Sequence, residues 1–225
     1  MLTSSRTSGP SDVPDYEYDI FISCRRSDED WVRWTRENLV RPLRSLLRLG
    51  LSNVRIFMDE DIETGADWPL RLAQALARSR LLIPILSRGY FDSDWCRLEL
   101  ALIHHREQQC GLRTLAIPDG LILPLVIDDG DSFPAEIQRI QSKRIHDFAN
   151  PCMRPDSPRQ EELAEQLRLW CPCVEQALKR VRAYDPAWET LAHDQFRHRF
   201  QVNVAAQTTV PGLSLNLTGG GVQTP

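Results

Sequence analysis

Short apolar runs alternate with amphipathic stretches along most of this chain. Tyr18-Asp19-Ile20-Phe21-Ile22-Ser23 is the first run and reads as a strand. A polar loop, Cys24-Arg25-Arg26-Ser27-Asp28, leads into a segment where Val32, Leu39, Val40, Leu43, Leu46 and Leu47 fall on one side of a helix. Asp28 or Asp30 is placed to cap that helix, Pro42 to kink it and Gly50 to end it. Val54 to Met58 is a second strand, closed by Asp59, and a charged loop from Glu60 to Asp67 follows. Trp68-Pro69 opens the next helix, where proline in the first turn is favourable; Leu72, Ala75 and Leu76 are its apolar face.

The third strand is Leu81 to Leu86. Ser93 or Asp94 caps an amphipathic helix running to about Arg106. Leu121 to Ile127 is a fourth strand ending in an Asp128-Asp129-Gly130-Asp131 turn, Phe133 to Ile140 a short helix, and Ser142 to Phe148 a weak fifth strand. Residues 158 to 183 keep helical phase straight through Pro172, which predicts one kinked helix rather than two. Continuous apolar strands joined by helical crossovers predict an α/β fold with a parallel sheet covered on both faces. The domain spans 16–183. Residues 1–15 are Ser, Thr, Gly, Pro and Asp-rich and read as disordered; residues 184–225 read as a polar, flexible tail, although Leu213, Leu215 and Leu217 alternate as in a short strand.

The chain has 225 residues, enough for one full core. Lys plus Arg total 27 against 31 Asp plus Glu, a balance without the polybasic signal of a nucleic-acid or anionic-membrane partner. No run spans a bilayer and the N-terminus lacks a signal-peptide apolar stretch, so a cytoplasmic location is expected. None of the six cysteines forms a CxxC pair, and no zinc spacing is present. GxGxxG, P-loop, HExxH and GxSxG patterns are absent.

Four segments in order resemble the Toll/interleukin-1 receptor (TIR) domain family, of bacterial type. Asp19-Ile20-Phe21-Ile22-Ser23-Cys24-Arg25-Arg26 is similar to the family's first box. Phe57-Met58-Asp59 with Ile62-Glu63-Thr64-Gly65 resembles its second strand and mobile loop. Ile85-Leu86-Ser87 and Ser93-Asp94-Trp95-Cys96-Arg97-Leu98-Glu99-Leu100 resemble its third strand and the helix that bears the catalytic glutamate. The resemblance spans about Tyr18 to Val181. It implies a flavodoxin-like, three-layer fold with a five-stranded parallel sheet. For function it implies an NAD⁺ glycohydrolase in anti-phage defence or stress signalling, or else a non-enzymatic module assembling with other TIR domains.

Glu99 is the catalytic candidate. Trp95 lies four residues earlier, on the same helical face. A single carboxylate suits this chemistry: nicotinamide is cationic in NAD⁺ and leaves neutral, so no general acid is needed, unlike in glycosidases. The carboxylate would stabilise an oxocarbenium-like ribosyl group. Arg25 and Arg26 suit a pyrophosphate, or pair on the surface with Asp28 and Glu29. Asp59 lines the pocket or caps a turn; Trp68 stacks on a base or packs; Phe21 and Ser23 match family positions for substrate contact, Phe21 equally suiting the core. NAD⁺ is expected as substrate, with no cofactor and no metal. The expected protein partner is a second copy or another TIR or sensor protein.

Overall fold

In the computed structural model, which describes residues 15–50, 52–62, 65–128, 133–154 and 157–207, the apolar runs form one five-stranded sheet. Its strands are β1 (Tyr18–Ser23), β4 (Ile56–Met58), β5 (Ser79–Leu86), β6 (Leu125–Val126) and β7 (Lys143–Arg144). They lie in the order β4-β1-β5-β6-β7, and every pairing is parallel. This is the flavodoxin-like fold with helices on both faces. Ile20, Ile22, Leu81, Leu82 and Ile83 are at most 1% exposed, because each face of a central strand is roofed by helices. The helices are α1 (Glu29–Thr35), α2 (Arg41–Leu46), α3 (Trp68–Ala77), α4 (Asp94–Gln109), α5 (Ala135–Gln138), α6 (Pro158–Arg180) and α7 (Ala187–Gln207).

Local chemistry explains where the elements depart from the sequence expectations. The first helix does run through Pro42, but a π-helical turn, Arg36–Val40, joins α1 to α2 immediately ahead of it. A wider turn accommodates a residue that has no N–H to give and whose ring crowds the carbonyl four residues back. Gly50 does not end that helix, which stops at Leu46. It turns, at φ +65°, a two-residue antiparallel hairpin of β2 (Arg48–Leu49) and β3 (Ser52–Asn53).

The fourth strand is shorter than predicted. Ile122 bridges Leu82, then pairing lapses until Ile85 meets Leu125. In that register Pro84 faces Pro124, and Pro84 has no N–H to repeat the 2.9 Å bond that Leu82 donates to the Leu121 carbonyl. The helix through Pro172 is continuous from Pro158 to Arg180.

One expectation is overturned outright. Residues 187–207, read as part of a flexible tail, form α7, which packs against α3 and α4. Trp188, Ala192 and Phe196 are spaced four apart and lie on one helical face, 9%, 3% and 0% exposed. The buried Arg106 guanidinium sits 4.5 Å from the centroid of the Trp188 ring, and Arg78 pairs with Glu189. An apolar stripe this narrow leaves the rest of the helix polar, which is why composition alone reads as tail. The expected disorder of the N-terminal segment falls, but for Asp15, outside the described residues, as does the alternating Leu213, Leu215 and Leu217.

The burial contrast along α7 is testable by urea denaturation. Phe196→Ala should cost about 3–5 kcal/mol, whereas Phe200→Ala, 45% exposed in the native protein, should stay within about 0.5–1 kcal/mol. Equal effects from the two would contradict the packing of α7.

Candidate functional site

Crossovers from β1 and β5 leave towards opposite edges of the sheet, so their carboxyl ends frame the crevice where open α/β sheets take ligands. Ser23 ends β1. Beyond β5 comes a 3₁₀ turn, Tyr90–Asp92, and then α4, whose N-cap Ser93 accepts a 3.3 Å hydrogen bond from the Cys96 amide. That cap fixes the first turns of α4, and with them Trp95 and Glu99.

Glu99 is 5% exposed. Ser23 Oγ donates to its Oε2 at 2.5 Å and lies 2.7 Å from the Tyr90 hydroxyl. The Tyr90 side chain is wholly buried, and its hydroxyl also reaches the Cys96 carbonyl at 3.4 Å. Burial raises the Glu99 carboxyl from the usual 4.5 to about 8; the Ser23 hydrogen bond pulls it down and the Asp59 charge adds to the rise. Burial also pushes the Cys96 thiol up to about 12 and raises the Tyr90 phenol, so both stay neutral beside the carboxylate.

The other candidates divide into two groups. Asp59, in the 3₁₀ turn after β4, accepts from Trp68 Nε1 at 2.6 Å. Trp68 meets Trp95 edge to face at 4.8 Å between centroids. Arg26 lies 3.6 Å from Asp59 and its guanidinium is 5.4 Å from the Trp68 ring centroid. Ser23, Asp59, Trp68, Trp95, Glu99 and Arg26 thus form one cluster of acid, aromatic and cationic groups. Arg25 turns away: it pairs with Asp28 and Asp92, and its guanidinium lies where a Cβ at Gly89 would sit. Phe21 belongs to the core, 1% exposed and 5.1 Å from Phe57 between ring centroids.

Three contributors were not read from the sequence. Tyr90 shares a three-residue turn with Phe91, too short a segment for any periodicity to mark which ring is buried. Phe196 of α7 packs against Trp95 at 5.7 Å, and Arg199 pairs with Asp94 in the first turn of α4. A separate groove of about 840 Å³ opens at the start of β6 and β7, lined by Leu123, Lys143, Leu169, Trp170 and Pro172 among others; it holds none of the candidate residues. Among the described residues no cluster of His, Cys, Asp and Glu could hold a metal, and no helix is long and apolar enough to cross a membrane.

A family model described as TIR domain matches residues 20–167. Among solved structures, the TIR domains of the activated Roq1 resistosome directly recognizing the pathogen effector XopQ align at 17% identity. That alignment covers 82% of this chain and 99% of the other, with a TM-score of 0.37.

The raised Glu99 carboxyl has a consequence for stability. Between 4.5 and about 8 the folded protein retains a proton that the unfolded chain has released, so stability falls as pH rises through that window. Glu99→Gln keeps the shape and removes the charge. Its unfolding free energy relative to wild type should improve by more than about 1.4 kcal/mol between pH 5 and pH 8.5, the equivalent of one pH unit of displacement. An unchanged difference across that range would show that Glu99 is not buried as a neutral acid.

Proposed function

The chain belongs to the TIR domain family, and from that premise we propose that it is an NAD⁺ glycohydrolase, cleaving the nicotinamide–ribose bond with Glu99 as the catalytic residue. The observation that carries this reading is Glu99 itself: an acid nearly closed off from water, one oxygen held by Ser23, at the carboxyl ends of β1 and β5 beside two indoles and an arginine.

The chemistry asks for no proton donor, because the ring nitrogen, cationic in NAD⁺, takes up the bonding electron pair as the bond breaks and nicotinamide leaves neutral, the positive charge passing to the ribosyl group. It asks for negative charge near the ribose, where positive charge develops. In the free protein burial keeps Glu99 largely protonated at neutral pH. A cationic nicotinamide ribosyl group brought beside it favours the ionised form, so binding and ionisation reinforce one another. In a low-dielectric site that carboxylate acts with little screening. Trp68 and Trp95 supply apolar walls for a planar ring. Arg26 supplies positive charge for the pyrophosphate, while Arg25, paired with two aspartates, is the weaker candidate. NAD⁺ is consumed as substrate; no further cofactor enters.

Family membership supports a setting in defence or stress signalling, with self-association or a sensor partner as trigger. A second reading, an assembly module without catalysis, draws on a different feature. Leu115, Ile117 and Leu169 are 106%, 38% and 55% exposed, and Ile117 and Leu169 both line the groove at the amino ends of the strands. Contact with a second TIR domain would cover such side chains.

Nicotinamide release separates the two readings. Wild-type protein at micromolar concentration should release nicotinamide from NAD⁺, while Glu99→Ala and Glu99→Gln, folded by circular dichroism, should lose at least about a hundredfold in kcat/KM, some 2.7 kcal/mol of transition-state stabilisation. Wild-type turnover retained by folded Glu99→Ala would reject the assignment of Glu99. No release by concentrated wild type would leave the assembly reading.

A further inference from the structure

Ser23 stands where β1 gives way to the loop bearing Arg25 and Arg26, a place that suits a substrate contact. Its hydroxyl is already engaged on both sides. A serine hydroxyl has one hydrogen, and when Glu99 is ionised, the form the reaction uses, that hydrogen goes to Oε2 at 2.5 Å. Ser23 Oγ is then an acceptor, and the group facing it at 2.7 Å is the Tyr90 hydroxyl. The Tyr90 hydrogen has two acceptors within reach, Ser23 Oγ at 2.7 Å and the Cys96 carbonyl at 3.4 Å, and goes to the nearer, so the donors run from Tyr90 to Ser23 to Oε2. Among the described residues Oε1 of Glu99 accepts no hydrogen bond. The carboxylate is thus divided: the protein holds one oxygen and leaves the other for a ligand.

Resting on the glycohydrolase reading, we propose that Ser23 is a positioning residue, which fixes Glu99 through Oε2 and leaves Oε1 to the ribosyl group, and that Tyr90 acts only through Ser23. The neighbours do not share this task. Asp59, after β4, faces Glu99 with like charge and is itself paired with Arg26. Cys96, one turn earlier on α4, is a neutral thiol, and Cys24 and Tyr90 face the Ser23 end of the chain of hydroxyls. Ser23 is the group whose hydrogen bond favours the ionised carboxyl. A donor shared along a chain of hydroxyls is stronger than the same donor alone, so Tyr90 strengthens what Ser23 gives.

The test measures two properties of the full-length protein: the titration of the Glu99 carboxyl by ¹³C NMR on glutamate-labelled protein, assigned by loss of its signal in Glu99→Gln, and kcat/KM for NAD⁺ from about pH 6 to about pH 10. Ser23→Ala should raise the Glu99 titration by about half a unit or more and move the acid limb of kcat/KM up with it, with the plateau above that limb lowered as well because the carboxylate is no longer held, whereas Ser23→Thr, which keeps the hydroxyl, should restore both. Tyr90→Phe should move the titration less, and should add nothing in the Ser23→Ala/Tyr90→Phe double variant, because its effect passes through a hydroxyl no longer present. A titration unmoved by Ser23→Ala, with kcat/KM lowered equally at every pH, would overturn the proposal and make Ser23 a substrate contact or a packing residue. Additive effects in the double variant would overturn the role of Tyr90. The NMR arm needs no turnover: if wild type releases no nicotinamide, the glycohydrolase reading fails, and the titration still decides whether Ser23 and Tyr90 hold Glu99.

Discussion

The hydrogen bond from Ser23 to Glu99 joins the end of β1 to the second turn of α4, and the geometry of the site depends on that join. A carboxyl group can be kept out of water only as a neutral acid or with partners that stand in for water. Here the partner is a hydroxyl, that of Ser23, itself met by the Tyr90 hydroxyl, and not a cation. A cation would have fixed the charge in the resting protein and opposed the approach of the proposed cationic substrate. Hydroxyls orient the carboxyl while leaving its charge to be called up by what binds. The like charge of Asp59 keeps that balance towards the neutral form, and Arg26 partly offsets Asp59 from the solvent side.

The aromatic wall has its own support. Trp68 is tied to Asp59 through its indole N–H, Trp95 meets Trp68 edge to face, and Phe196 backs Trp95 from outside. This run of contacts connects the turn after β4, the start of α3, the start of α4 and the middle of α7. The helix beyond the span matched by the family model therefore touches the same first turn of α4 that the catalytic candidate depends on. Arg199 strengthens the link by pairing with Asp94, which Arg97 also engages.

Much of this was legible in the sequence, and what was not had physical causes. The order of strands and helices followed from continuous apolar runs and caps. The shared face of Trp95 and Glu99 followed from their spacing of four. The divergence of Arg25 from Arg26 did not, because adjacent loop residues take their directions from distant partners, here Asp92 and the bare Gly89 backbone against Asp59 and Trp68. The break in the fourth strand needed the register that sets Pro84 against Pro124, a relation between positions forty residues apart. Tyr90 gave no signal because a single buried aromatic in a turn has no period. Trp188, Ala192 and Phe196 do have a period, but they form one thin stripe among Glu, His, Gln and Arg, and tertiary packing against α3 rather than composition makes that segment a helix.

The central claim is that NAD⁺ binds at the carboxyl ends of β1 and β5, against the indoles beside Glu99, and not in the groove at the opposite end of the sheet. The six tryptophans are spread so that one experiment reads both places. Fluorotryptophan-labelled Glu99→Gln protein, which should bind without turnover, can be titrated with NAD⁺ and followed by ¹⁹F NMR, each resonance assigned by substitution. The account predicts saturable shifts of the Trp68 and Trp95 resonances, with that of Trp170, which lines the groove, unmoved. Saturable shifts confined to Trp170, with Trp68 and Trp95 unchanged at saturation, would contradict it.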